Sequence, residues 1–345
     1  MIRTARVVWR PLRAVAVVVA LLSLGRPLLD TRAHADQRAG QSLEPVQPGG
    51  SRGVVRASES SASDIDVFHV QRNVYMLVGA GANVAVQVGQ EGVLVVDPGL
   101  ANRSEQVLAA IRTISDKPIR WVINTHFHPD HSGANAVVSA AGSTAGGAAA
   151  PIAAHENVLA SMTESGVPFE GRPLNTFFGA SKDFSFNDEA IVLYHAPEAH
   201  TDGDAIVFFR SSDVLVAGDL FVTTSYPILD LENGGGIQGV IEGLNHLLDL
   251  AVPRHQQEGG TYIIPGHGRV SDESDLLEYR DMVVIVRDRI RTMIDDGMTL
   301  DQVQSARPTL DYDGWHGGNS DFWTPEMFVE AVYTDLSKGD RAIRR

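Results

Sequence analysis

Residues 124–133 read NTHFHPDHSG and place three histidines and one aspartate within six positions. His126 and His128 are two residues apart at the end of an expected strand, so an extended backbone would turn both side chains to the same side. Asp130 and His131 follow, near the expected start of a helix. Imidazole nitrogens and carboxylate oxygens are typical zinc ligands, and iron or manganese is chemically compatible. The spacing predicts two metal ions, one at each pair.

Further candidate ligands stand at the ends of later predicted strands. His200 lies in PEAHTDGD just before one strand, Asp219 ends the run VLVAGD, and His267 ends the run YIIPGHG. Asp97 follows the buried run VLVV in the same way, although a carboxylate there could merely cap a turn. A two-metal site needs more ligands than residues 126–131 provide, and these strand ends could supply them.

The elements that must position these residues alternate between β and α patterns. Two β-branched runs flank residues 89–92 and predict a hairpin whose second strand is buried on both faces. Helical spacing occurs at 103–115, 237–252, 275–297, 299–307 and 324–336, and further strands are predicted at 119–123, 191–196, 204–210, 213–220 and 261–268. The predicted strands form two groups along the sequence, and each group is accompanied by helices. This pattern predicts a layered α/β fold with two sheets.

The N-terminal residues differ in character from the rest of the chain. Residues 1–35 combine four early arginines, a run of 12 apolar residues and a final AHA site, which predicts a secretory signal peptide and a periplasmic or secreted protein. A retained anchor is the alternative, but the run is shorter than the ~20 residues that span a bilayer. We expect no stable membrane insertion after cleavage. Residues 36–64 predict a flexible leader, 65–270 the main domain and 271–345 a C-terminal helical extension.

Charge and cysteine content exclude some functions. The chain has a net charge of −15, and removal of residues 1–35 would take away six arginines and one aspartate and leave −20. So acidic a protein would repel a phosphate backbone, which argues against nucleic acid as a partner. There is no cysteine, so thiolate ligands and disulfides are excluded.

The motifs and their order resemble the metallo-β-lactamase superfamily. The resemblance covers roughly residues 69–270 and implies an αββα sandwich of two mixed sheets flanked by helices, with the metals in a groove at one sheet edge. It also implies a first zinc at His126, His128 and His200, and a second at Asp130, His131 and His267. By the same resemblance Asp219 would bridge the two ions, and Asp97 would orient a ligand histidine.

Two zinc ions that share a water produce hydroxide near neutral pH, and Asp130 would orient this nucleophile and shuttle its proton. The resulting prediction is hydrolysis of an ester, lactone, thioester or amide in a small-molecule substrate. Asp219 stands where the best-known zinc β-lactamases resemble each other in carrying cysteine or serine, which favours lactones and esters. One alternative is a β-lactamase, because export to the periplasm is consistent with that activity. Another is a non-catalytic protein that holds zinc.

Two predicted loops, 174–183 and 223–236, flank the ligand-bearing strands and are interpreted as a mobile lid. Phe177, Phe178 and Tyr226 could pack on an apolar substrate, and Lys182 could meet an anionic one. For each of them an ordinary buried aromatic or solvated lysine is at least as good an interpretation. The C-terminal helices either cover the groove or form the face of a homodimer, and the sequence leaves both open.

Overall fold

Two β-sheets form the centre of the fold in the computed structural model, which describes residues 65–317 and 322–343. The first sheet has seven strands in the order β1-β2-β3-β4-β5-β6-β7, and the second has five in the order β12-β11-β10-β9-β8. The predicted signal peptide and flexible leader lie outside the described residues. The strands are β1 Asp66–Gln71, β2 Val74–Ala80, β3 Ala82–Val88, β4 Val93–Val96, β5 Ile119–Ile123, β6 Ile152–His155, β7 Asn175–Phe177, β8 Ser181–Phe186, β9 Glu189–His195, β10 Ala205–Phe209, β11 Val214–Gly218 and β12 Tyr262–Pro265.

Helices cover the outer faces of both sheets. They are α1 Ser104–Ile114, α2 Pro129–Ser132, α3 Asn135–Ala141, α4 Glu156–Glu164, α5 Ile237–Leu250, α6 Glu273–Asp295, α7 Leu300–Ala306, α8 Asp313–His316 and α9 Pro325–Ile343, with short 3-10 turns at Ala101–Arg103, Phe169–Gly171 and Leu231–Asn233. Helix α7 begins with the capping box expected from its sequence, in which Thr299 and Gln302 satisfy each other's backbone amides. Within the described residues no helix is both long and apolar enough to cross a membrane.

Parallel strand pairs bring candidate ligands to one edge of the sandwich. Strand β4 pairs in parallel with β5, with Val96 opposite Ile123. In the other sheet β11 pairs in parallel with β12, with Gly218 opposite Pro265. Because the carboxyl ends of parallel strands lie at the same edge, the segments that follow these four strands meet there. The predicted hairpin around residues 89–92 is present as the antiparallel pair β3 and β4.

Three apolar layers hold the sandwich together. Side chains between the sheets come from both of them and include Val96, Ile123 and Ile264. Helices α1 and α3 cover the first sheet, and α5, α6 and α9 cover the second. The predicted αββα sandwich of two mixed sheets is therefore confirmed. Residues on both sides of position 270 share the core outside the second sheet, because Ile263 and Val283 belong to one cluster.

The predicted loop at 174–183 is wrong, because this segment contains β7 and the start of β8. In β8, Ser181, Asp183 and Ser185 are exposed while Phe186 is buried, which is the alternation of a half-buried strand. The glycine at position 179 and the surrounding polar residues hid this short pattern. Strand β6 and helix α4 had no counterpart in the sequence prediction either.

A buried glutamate at the start of β9, Glu189, links the second sheet to the first by hydrogen bonds. One oxygen of Glu189 accepts a hydrogen bond of 2.5 Å from Gln87 Nε2 on β3, and the other accepts one of 2.5 Å from the Ser212 backbone N–H. The Ser212 hydroxyl adds a third bond of 3.0 Å. Three buried donors therefore depend on one carboxylate.

Replacing Glu189 by alanine should lower the free energy of unfolding by about 2–4 kcal/mol, because buried donors would lose their acceptor. Urea unfolding of the purified protein measures this loss. Glu170→Ala is the control: Glu170 is exposed, and the change should stay within about 0.5 kcal/mol. Equal effects of the two substitutions would contradict the bridging role of Glu189.

Candidate metal centre

The candidate ligands converge at the edge where β4, β5, β11 and β12 end. Residues 124–132 follow β5, Asp219 follows β11, and His267 lies two residues after β12. His200 comes from the connection between β9 and β10, which is held to the same edge by a bond of 2.8 Å from Ala205 N–H to the Thr125 carbonyl. The structure thus brings together all seven predicted metal ligands.

His126, His128 and His200 form a first group, with one potential ligand atom of each within 4.8 Å of the others. His128 Nε2 lies 2.9 Å from Asp230 Oδ2, and His200 Nδ1 lies 2.8 Å from the Ile228 carbonyl oxygen. Since both partners only accept, these two nitrogens carry the protons. The remaining nitrogens, His128 Nδ1 and His200 Nε2, face each other at 2.9 Å.

Asp130, His131 and His267 form a second group of the same kind. His267 Nε2 lies 3.2 Å from Asp130 Oδ2. Asp219 lies between the two groups: its Oδ1 is 3.2 Å from His131 Nε2 and 3.6 Å from His267 Nε2, while its Oδ2 is 3.8 Å from His200 Nε2. One carboxylate oxygen therefore faces each group, which is the position that a bridging ligand occupies.

Asp97 fixes the orientation of the ligands from behind. Its Oδ1 accepts from the Thr125 N–H at 2.8 Å, and its Oδ2 accepts from the Thr125 hydroxyl at 2.6 Å. His131 Nδ1 is 2.9 Å from the same Oδ2. The Thr125 oxygen is in turn 3.1 Å from His126 Nδ1. These contacts place a proton on Nδ1 of both imidazoles and turn both Nε2 atoms into the site.

Three buried polar atoms at this point have no hydrogen-bond partner among the described residues: His126 Nε2, His131 Nε2 and Asp219 Oδ1. Buried polar atoms are normally paired, and lone pairs that face each other repel unless a cation lies between them. The donor set, imidazole nitrogen with carboxylate oxygen, is that of zinc and similar divalent ions. The residues present therefore fit metal ions.

Burial and neighbouring charges both shift the pKa values of the ionisable groups here. Burial, together with neighbouring His131 and His200, lowers the pKa of His126 well below its usual value. Burial would raise the pKa of Asp219, but the adjacent histidines, chiefly His131, hold it well below its usual value. The site thus keeps Asp219 ionised and His126 neutral. Burial would lower the pKa of His131, but Asp219 and Asp97 raise it well above its usual value, so metal binding must displace a proton from His131.

Glycine is required where β12 ends. A Cβ on Gly266 would lie 1.9 Å from Asp219 Oδ1 and 2.8 Å from the backbone of Gly218. Any side chain at this position would push the aspartate out of place. The glycine in the PGHG motif therefore permits the close approach of the two strand ends.

Sequence reasoning missed several residues that support the ligands. Asp230 orients His128, the Ile228 carbonyl orients His200, and Thr125 links Asp97 to His126. Asp230 lies in the predicted loop 223–236, so its general location was indicated. Its pairing with a histidine 102 positions away carries no local pattern in the sequence.

A cleft of about 480 Å³ opens onto the metal-binding residues. Apart from the candidate ligands, its lining comes mainly from the segment after β11 and from the two residues just before helix α9. These residues are Pro129, Val222, Thr224, Ser225, Ile228, Phe322 and Trp323.

None of the four predicted pocket residues lines this cleft. Phe177 is buried between the sheets, and Phe178 is 79% exposed. Lys182 donates to the side chain of Asn175 on β7 of the other sheet. Tyr226 is fully buried, stacks on Phe328 with ring centres 4.9 Å apart, and donates to Asp313. Of the two predicted loops, only 223–236 reaches the cleft, through Thr224, Ser225 and Ile228. Tyr226 lies in that loop but points into the core, because the sequence does not show which way each residue of a loop points.

The fold and this centre define a class of metal-binding α/β proteins, and the family comparison agrees with it. A family model described as the metallo-beta-lactamase superfamily matches residues 77–288. Because this match covers more than half of the chain, the chain belongs to that superfamily of metal-dependent hydrolases. The resemblance found in the motifs is confirmed.

Individual relatives come from two groups. A linear primary-alkylsulfatase of Pseudomonas sp. (strain ATCC 19151) is 24% identical over 259 residues, which are 62% of this chain and 47% of that protein. The inverting sec-alkylsulfatase Pisa1 from Pseudomonas sp. is similar in structure, with a TM-score of 0.62, 16% identity, and coverage of 81% of this chain and 51% of that one. A metallo-beta-lactamase from Pontibacter korlensis has a TM-score of 0.50 and 18% identity over 64% of this chain and 99% of that one. The chain spans about half the length of the alkylsulfatases that it matches.

Asp97→Asn should weaken zinc binding about 10- to 100-fold, because the amide has one acceptor oxygen in place of two and its NH2 group would face a donor of Thr125 or His131 and disturb the His131 tautomer. Competition with a chromophoric chelator measures the affinity. Asp116→Asn, at an exposed aspartate, is the control and should bind zinc as the wild type does. Unchanged affinity in Asp97→Asn would refute the orienting role.

Proposed function

We propose that the protein is a two-metal hydrolase that cleaves a carboxylic ester or lactone. The single observation that carries the proposal is the arrangement around Asp219, where the lone pairs of two ligand groups face one another across one buried carboxylate. This arrangement suits two divalent ions side by side. Zinc is the proposed metal because nitrogen and carboxylate oxygen form the donor set.

Zinc bound at both groups would supply a hydroxide nucleophile at neutral pH and polarise the substrate carbonyl. The protein's own residues position the reactants. Asp130 lies at the cleft with 34% of its side chain exposed, and its Oδ2 lies 3.2 Å from His267 Nε2. It is therefore placed to hold the nucleophile's proton and pass it to the leaving group. Asp97 and Asp230 keep the ligand imidazoles in the required tautomers.

The lining of the cleft supports a neutral substrate over an anionic one. Among the described residues that line it there is no lysine or arginine, and Val222, Ile228 and Trp323 provide apolar surface. A carboxylic ester or lactone can bind to such a wall without an unpaired charge.

Hydrolysis of alkyl sulfates is the second candidate. It is favoured by the alkylsulfatase relatives, which match this chain in sequence and in structure. A sulfate ester would place its charge near the metal ions and its alkyl group against the apolar wall. Hydrolysis of β-lactams and a purely structural use of zinc are further alternatives that the same experiment tests.

The proposal extends to location and assembly. We propose that the protein is exported, which rests on the basic and apolar pattern of residues 1–35. Its partner is a small molecule, since the cleft volume is typical of ligand pockets and the chain is acidic. A homodimer is compatible with the helices that follow residue 270.

Treatment with a chelator should abolish hydrolysis of 4-nitrophenyl esters or acyl-homoserine lactones, and added zinc should restore it. His126→Ala should lower kcat/KM more than about 100-fold, the upper end of the cost of losing an outer partner of a ligand. His255→Ala, at an exposed histidine, should leave kcat/KM unchanged. The assay also includes dodecyl sulfate and a cephalosporin.

The pattern of turnover distinguishes the candidates. Preferred turnover of dodecyl sulfate would replace the ester proposal by the second candidate, and preferred turnover of the cephalosporin would make the protein a β-lactamase. Full zinc loading with no turnover on any of these substrates would leave the metal a structural role and overturn the proposal.

A further inference from the structure

Two residues just before helix α9 contribute an apolar wall to the cleft at the candidate metal centre. Phe322 and Trp323 line the same cleft as His128, His200 and His267. The family match ends at residue 288, so this wall comes from a part of the chain beyond the matched region. The candidate ligands lie within the region that matches the family, whereas the wall lies outside it.

Trp323 is held in place from two sides. Its indole Nε1 donates a hydrogen bond of 3.1 Å to the Pro227 carbonyl oxygen. Its ring packs against the outer core of the second sheet, to which Phe328 of the following helix α9 belongs. Phe328 is fully buried and stacks on Tyr226 with an interplanar angle of 7°. A side chain anchored in this way loses little freedom when a ligand packs on it.

The indole bond joins this wall to the metal centre. Pro227 precedes Ile228, whose side chain lines the cleft and whose carbonyl oxygen accepts from His200 Nδ1 at 2.8 Å. The apolar surface of Val222, Ile228 and Trp323 is thus continuous with the metal ligands. A group bound on this surface would lie next to the bond that is hydrolysed.

We propose that Trp323, with Phe322 beside it, determines substrate specificity and selects esters whose acyl group is an extended hydrocarbon chain. This inference rests on the proposed ester hydrolysis and names its substrate class. The chain lies along Val222, Ile228 and Trp323, where the described lining residues offer no cation for a charged acyl group. The cleft volume of about 480 Å³ accommodates such a chain together with the reacting ester.

Burial of one methylene group is worth about 0.8 kcal/mol, or about fourfold in an equilibrium or rate constant. The kcat/KM of the wild type should therefore rise steeply from 4-nitrophenyl acetate to the butyrate and octanoate esters. Trp323→Ala should lose at least about tenfold on the octanoate ester and less than about threefold on the acetate ester, with its metal content unchanged.

Two further variants separate the wall from the hydrogen bond to Pro227. Trp323→Phe keeps an apolar ring without the N–H donor, and it should retain the preference for long chains. Trp315→Ala is the control, because Trp315 is 80% exposed and lines a different cavity that contains none of the seven metal-binding residues. An equal loss of kcat/KM on short and long esters in Trp323→Ala, with metal retained, would overturn the inference.

Binding of products gives a readout that does not depend on turnover. Calorimetry on the zinc-loaded protein should show that octanoate binds at least about tenfold more tightly than acetate, and that Trp323→Ala and Phe322→Ala reduce this ratio. If the two substitutions reduce this ratio of affinities but the wild type hydrolyses no ester, the role of the wall would be supported and the proposed function would fail. Ester turnover with equal binding of octanoate and acetate would overturn the wall while the proposed function stood.

Discussion

Asp219 is a buried carboxylate whose two oxygen atoms face different groups of imidazole nitrogens. The surrounding hydrogen bonds leave no freedom to relieve this crowding. Asp97, Asp230 and the Ile228 carbonyl take the outer N–H of three histidines, so the inner nitrogens point into the site. Metal ions bound between these nitrogens and Asp219 would pair the inward-facing atoms, and the chemistry proposed for the protein depends on this arrangement.

The sandwich of two sheets holds that arrangement rigidly. Ligands come from both sheets, and each sheet offers the carboxyl ends of a parallel pair at the same edge. Asn83 at the start of β3 bonds the backbone of Gly266 and Pro265, which joins the first sheet to the end of β12. With Glu189 bridging the sheets elsewhere, the metal ligands sit on elements that cannot shift independently.

The sequence predicted those parts of the site in which residue type and strand-end position coincide. The run from His126 to His131 and the strand-end residues Asp219 and His267 carry such a signal, and the structure brings them together. Asp230 and Trp323 carry no local signal, because their roles arise from contacts with segments about a hundred residues away. The same limit explains Tyr226, which the sequence placed at the pocket and the fold turns into the core. Strand β8 was missed for a different reason: its alternating pattern spans only six residues, Ser181–Phe186.

Anomalous diffraction at the zinc edge, from crystals of the zinc-loaded protein, tests the central claim most directly. Two peaks per chain are predicted, each with zinc–nitrogen distances of about 2.0–2.1 Å. The first should be bound by His126 Nε2, His128 Nδ1 and His200 Nε2, and the second by Asp130, His131 Nε2 and His267, with Asp219 in contact with both. A single peak, or coordination of His128 through Nε2 with Asp230 displaced, would contradict the account.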